Sequence, residues 1–191
     1  LGLLEGHHYH QYKTGVTADM ELAELLGTVH LGTSAYIRLA FKNTLRGSGI
    51  KTVKTGETGD VLIWCHHGHG SAQTPGAVLN KLQRVAARWD GDIFIMGHAH
   101  TKESTVIDRV IPIWNEPPRL IHRTVALACT GGFLKGYVEG SRDGLVPRGT
   151  YVEQGMMPPV ALGGMLFKIT PRWYQGKFHT RVWLPDIRVE A

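Results

Sequence analysis

Cysteine is nearly missing from this chain: Cys65 and Cys129 are the two in 191 residues, and neither stands in a Cys-x-x-Cys or Cys-x-x-His spacing. That excludes a disulfide-stapled framework and a closed thiolate zinc site as organising principles. Both lie in apolar, strand-like surroundings, where a free cysteine behaves as a small buried residue in a reducing, cytoplasmic compartment. Long apolar runs are missing too: none approaches the ~20 residues that span a bilayer, so no membrane partner is expected. Blocks of one charge do not occur either. The formal net charge is +5, which suits an anionic substrate such as a phosphate ester or a nucleic acid, though Lys and Arg are scattered along the chain rather than run together. There is no internal repeat, low-complexity tract or linker. With 42% apolar and 19% charged residues, the chain 1–191 reads as one domain with a full core. It opens on Leu1-Gly2-Leu3-Leu4-Glu5-Gly6, mid-motif and with no initiator Met, so an N-terminally truncated domain is expected.

What the chain has in excess is histidine. Eleven are present, most of them in three short segments: Gly6-His7-His8-Tyr9-His10, Cys65-His66-His67-Gly68-His69-Gly70 and Gly97-His98-Ala99-His100. Each follows an apolar run, and the second and third runs, Val61-Leu62-Ile63-Trp64 and Ile93-Phe94-Ile95-Met96, read as buried strands. Between them, residues 75–90 carry Val78, Leu79, Leu82, Val85, Ala86 and Trp89 on one helical face, with Lys81, Arg84 and Arg88 opposite. Thr74 before Pro75 supplies a cap and a first-turn proline. Strand, loop, helix, strand, loop is a βαβ crossover. It returns the chain to its starting side and places both histidine loops at the carboxyl edge of a parallel sheet, where open α/β sheets bind ligands.

The remaining segments frame that unit. Leu1 to Leu4 suggest the end of a buried strand, and Thr17 caps a helix that stops at Gly27, with Met20, Leu22, Ala23, Leu25 and Leu26 as its apolar face. Residues 29–31 and 35–41 suggest two strands about Gly32-Thr33-Ser34, with His30 and Arg38 facing water. Residues 42–59 form a basic, glycine-rich loop. The second half reads as β: residues 103–114 with 119–128, and 163–170 with 177–183, form hairpins expected to build a second sheet packed on the first. Residues 130–159 form a long glycine-rich loop between them.

Imidazole is the commonest metal ligand, and three histidine clusters at the ends of apolar strands share a cause better than three coincidences do. At this point the residues carry a resemblance. Gly6-His7-His8, then His66-His67-Gly68, then Gly97-His98-Ala99-His100 resembles the last three of the five signature segments of the calcineurin-like metallophosphoesterases, some of them phage-encoded. The resemblance implies an α/β fold: a metallophosphoesterase-like sandwich of two mixed β-sheets flanked by helices. It implies metal-dependent hydrolysis of a phosphomonoester or phosphodiester, as by a phosphatase or phosphodiesterase, at a dinuclear centre of Mn, Fe, Zn or Co. Its substrate is then a phosphorylated small molecule or a nucleic acid, with Trp173 and Tyr174 near Arg172 available to stack on bases.

Carried over residue by residue, the resemblance makes His8 the catalytic histidine and His7, His66, His98 and His100 metal ligands. His66 is preferred to His67 because it comes first after the strand. His67, His69 and Tyr9 are left as supporting or substrate-facing candidates, with Tyr9 standing where the family has an acid that orients the catalytic histidine. The family's Asp-x-His and bridging Gly-Asp segments do not occur at strand ends here. Residues His7, His66 and His98 therefore complete one metal site, and His100 reaches toward a second. The alternative is a truncated or degenerate module that binds one metal or an anion without turnover. A metallo-β-lactamase-type hydrolase needs an Asp where this chain has His67-Gly68-His69-Gly70.

Overall fold

The computed structural model describes residues 1–42, 58–70, 74–113, 118–159, 161–175 and 181–190. The basic loop expected over residues 42–59 falls almost wholly outside the described residues.

At the amino-terminal end, β1 (Gly2–Leu3) pairs in parallel with β2 (Val29–His30), and α1 (Ala18–Leu25) lies between them in sequence. The helix starts where its cap stands: the Thr17 backbone is extended, and its hydroxyl accepts the Met20 N–H at 3.2 Å. The apolar face expected for α1 is not a buried one. Only Ala23 is buried, while Met20, Leu22, Leu25 and Leu26 are exposed, and Leu1 is likewise fully exposed rather than part of a buried strand.

The centre of the molecule is a five-stranded mixed sheet. It comprises β3 (Ser34–Lys42), β4 (Thr58–His66), β5 (Ile93–Met96), β6 (Glu103–Ile113) and β7 (Arg119–Cys129), in the order β3-β4-β5-β7-β6. The expected βαβ unit is present: β4 and β5 are parallel, and α2 (Pro75–Ala86) crosses between them. Thr74 precedes it in an extended conformation, but its side chain makes no cap hydrogen bond. Two expectations are corrected. β2 and β3 do not pair with each other; β2 runs beside β1, and β3 runs antiparallel to β4. The β6–β7 hairpin does not found a second sheet, because β7 runs parallel to β5 and extends the first. The apolar run Val125-Ala126-Leu127-Ala128-Cys129 explains this. It is buried at every position, which suits an interior strand rather than one with a wet face.

Each face of the sheet is covered by something different. Val78, Leu82 and Ala86 of α2 pack with Trp64, Phe94, Met96, Val125, Leu127 and Cys129 on one side. On the other, Val61, Ile93 and Ala126 meet Ile187, Phe167, Ile169, Trp183 and Val189 from the last strands. Those strands are β10 (Leu166–Thr170), β11 (Trp173–Gln175), β12 (Arg181–Trp183) and β13 (Asp186–Glu190), following β8 (Arg142–Asp143), β9 (Val146–Pro147) and the short α3 (Tyr151–Gln154). The expected pairing of residues 163–170 with 177–183 is corrected: β10 pairs with β13, and β11 with β12. Gly59 makes the cover close, since a Cβ there would stand 2.2 Å from the Trp183 indole, whose Nε1–H donates to the Asp60 carbonyl at 2.7 Å. The fold is therefore mixed α/β, with one central mixed sheet and few helices.

Among the described residues, no helix is long and apolar enough to cross a membrane. Cys65 and Cys129 are free and buried. Burial pushes both thiols up, Cys129 to about 11, so neither is a nucleophile near neutral pH.

Candidate functional site

Register decides where the histidine loops meet. His66 pairs with Met96, and Met96 with Cys129, so the three parallel strands end at one level. The first residue of β3, Ser34, pairs with His66, which brings the amino-terminal segment to the same edge. There the His67 N–H donates to the Thr33 carbonyl at 3.0 Å, and the Glu5 N–H donates to the Gly32 carbonyl at 2.9 Å. The first histidine segment is held from its other side by α1. The Gly6 N–H donates to Asp19 Oδ2 at 3.2 Å, and the Thr17 hydroxyl donates to Glu5 Oε2 at 2.8 Å.

Three side chains converge at this edge: the ring nitrogens offered by His7, His67 and His98 all lie within 4.8 Å of one another. His7 Nδ1 and His67 Nε2 are 3.0 Å apart, a hydrogen bond in which one ring donates and the other accepts. The His98 ring stands edge-on to His7 with centroids 4.4 Å apart. Two backbone devices bring the loops together. Gly68 has φ +100°, and a Cβ there would lie 3.0 Å from the Gly97 carbonyl oxygen and 3.0 Å from His98 Cβ, so only glycine lets the second and third segments touch. His98 and His100 have φ of 63° and 54°, the left-handed region that a non-glycine residue enters at a cost and that recurs at functional sites.

The pairing of histidines with one another sets the electrostatics. Desolvation holds the His67 and His98 imidazoles below the ordinary value of 6.5, and neighbouring histidines add to it. Desolvation, followed by His8 and His69, lowers His7 in the same direction. All three are neutral at pH 7, the form that binds a metal.

The sequence expectation of His66 as a ligand differs from this arrangement. His66 is the last residue of β4, two positions after Trp64, and side chains two apart on a strand share a face. Its ring stacks on Trp64 with centroids 5.5 Å apart and planes 22° from parallel, and its Nδ1 accepts the Gly68 N–H at 2.7 Å. His67, one residue later and past the end of the strand, stands with His7 and His98 instead. The apolar run ends at Trp64, whereas β4 continues to His66, so the residue that first follows the strand is His67. His8 is exposed beside the triad, its ring centroid 3.8 Å from that of His7. His69 flanks it, stacked against His98 at 6.5 Å and edge-on to His7 at 6.3 Å. His100 is exposed and outside the mutual 4.8 Å grouping, and Tyr9 is half-exposed in the first segment.

Three neutral imidazoles with no carboxylate among them form a donor set suited to a borderline divalent ion such as zinc, and they leave coordination positions open. In comparisons with known proteins, no family model, no curated protein and no solved structure matched the chain.

Proposed function

We propose that the chain is a metal-dependent phosphoester hydrolase whose metal is held by His7, His67 and His98. The observation that carries the reading is the convergence of those three ring nitrogens at the carboxyl edge of the parallel strands. The order of the three histidine segments, which resembles that of the calcineurin-like metallophosphoesterases, supports phosphoester hydrolysis over other metal-assisted hydrolyses. The net positive charge supports an anionic substrate, either a phosphorylated small molecule or a nucleic acid.

A bound Zn, Mn, Fe or Co ion would supply Lewis-acid polarisation of the phosphoryl group. The chain's own residues do the rest. The His7–His67 hydrogen bond keeps the two rings side by side and gives way when both nitrogens turn to a metal, and Gly68 lets His98 lie against them. His8, exposed beside His7, is free to protonate the leaving oxygen. The donor set here supports one ion on these residues. His100 is the residue from which a second site in the family-like arrangement would be built.

The test is hydrolysis of bis-p-nitrophenyl phosphate and p-nitrophenyl phosphate with added Mn or Zn. We expect turnover that His98→Ala abolishes. One equivalent of metal bound with no turnover on either ester would favour the non-hydrolytic, metal-binding module, a reading to which the convergence of three ligands rather than a full dinuclear set lends weight.

A further inference from the structure

On the α2 side of the same edge lies a cleft of about 580 Å³ that the triad does not occupy. Its walls are Trp64, Trp89, Tyr36 and His66, and its rim nearest the triad carries His69 and Lys81. The volume falls in the range of small-molecule sites, and the composition is the usual one, apolar and aromatic walls with a few convergent polar groups. Three features point to its occupant.

The aromatic wall runs from the buried Trp64 to Trp89 and Tyr36, whose rings are open to solvent. Trp89 and Tyr36 stand 6.3 Å apart and Trp64 and Trp89 6.3 Å apart by ring centroid, yet Trp89 is 51% and Tyr36 46% exposed. Tyr36 is held in place through its hydroxyl, which donates to the Asp90 carbonyl at 2.8 Å, so its ring face is fixed rather than swinging. The polar groups are placed for a substituted ring. His66 Nδ1 accepts the Gly68 N–H, so the neutral ring carries its proton on Nε2 and has a donor left for a ligand. Finally, the cleft and the triad share a wall. His69 lines the cleft and stacks on His98, and Lys81 donates to the His69 carbonyl, which sets its ammonium at the boundary between the two.

We propose that this cleft takes the planar aromatic ring of the substrate's leaving group, a nucleobase or an aryl group, while its phosphate lies toward Lys81 and the histidines. The choice of a phosphoester rests on the function proposed above; the binding of a ring does not.

Calorimetric titration of the metal-free protein with AMP, phenyl phosphate and ribose 5-phosphate tests it. AMP should bind at least about tenfold more tightly than ribose 5-phosphate, the scale of one aromatic stack. Trp89→Ala, at a half-exposed position beyond the end of α2, should remove about tenfold of that affinity with an unchanged circular dichroism spectrum. Phenyl phosphate matching AMP would identify an aryl-tolerant pocket, and phenyl phosphate binding no better than ribose 5-phosphate would identify a nucleobase pocket. Ribose 5-phosphate binding as tightly as AMP, or AMP affinity unmoved by both Trp89→Ala and Tyr36→Ala, would overturn the proposal. His98→Ala separates the two readings. It should abolish metal-dependent turnover while the preference of the metal-free protein for AMP over ribose 5-phosphate persists, whereas AMP binding in a wild-type protein without turnover would keep the cleft and sink the hydrolase.

Discussion

His98 and His100 hold positive φ on either side of Ala99, and neither is a residue that relaxes there. A side chain in the left-handed region carries roughly 1–2 kcal/mol that glycine does not. His100 is exposed and outside the triad, so little packing offsets that strain. Glycine's greater freedom in the unfolded chain offsets part of that strain, so we expect His100→Gly to raise unfolding stability by about 0.5 kcal/mol in urea denaturation, with the triad's metal affinity nearly intact. The triad itself sets a pH dependence. His7, His67 and His98 all have values lowered from 6.5, so between 6.5 and those lowered values the unfolded chain binds protons that the folded chain refuses. Stability is then unaffected above 6.5 and falls as pH drops through that window, and metal affinity falls with it. Denaturation midpoints measured on the metal-free protein on both sides of 6.5 check the sign, and His98→Gln should flatten part of the slope.

Elements meet at this edge because of a few fixed contacts. Asp92, almost wholly buried, accepts the Leu62 N–H at 2.9 Å on one oxygen and the Arg123 guanidinium at 2.8 and 2.6 Å on the other, tying β4, β5 and β7 together just before the short β5. Asp92→Ala leaves the Leu62 N–H without an acceptor and Arg123 with only the more distant Asp90 carboxylate at 3.9 Å, and we expect a loss of about 3 kcal/mol by chemical denaturation. Gly68→Ala acts at the other end of the sheet. It forces a Cβ against the Gly97 carbonyl and His98 Cβ at a φ that alanine disfavours. Metal affinity should drop by about tenfold or more while the far-UV spectrum stays native, since the substitution moves loops rather than strands.

At the scale of the whole molecule, local signals carried the βαβ unit and little beyond it. The apolar runs before each histidine loop, the Thr17 cap and the periodicity of α2 are all written within a few residues of where they act. Pairings between distant segments are not. Nothing near residues 103–129 says that β7 joins β5, and nothing near 163–190 says that β10 waits for β13 across an intervening strand pair. Periodicity marks the apolar face of α1 without saying what covers it, and that face is exposed. The candidate site is legible in the sequence as three clusters but not as three converging rings, since β4 continues past Trp64 to His66 and His67 is the residue that stands beside His7 and His98. The aromatic cleft was not legible at all, because Tyr36, Trp64 and Trp89 come from β3, β4 and the segment after α2. The measurement that bears most directly on the site is a cobalt titration of the wild type, His67→Ala and His66→Ala, followed by visible absorption. We expect one equivalent bound by the wild type and by His66→Ala, with the signal lost in His67→Ala. Equal binding by His67→Ala, or loss of binding in His66→Ala alone, would contradict the assignment of His7, His67 and His98 as the metal ligands.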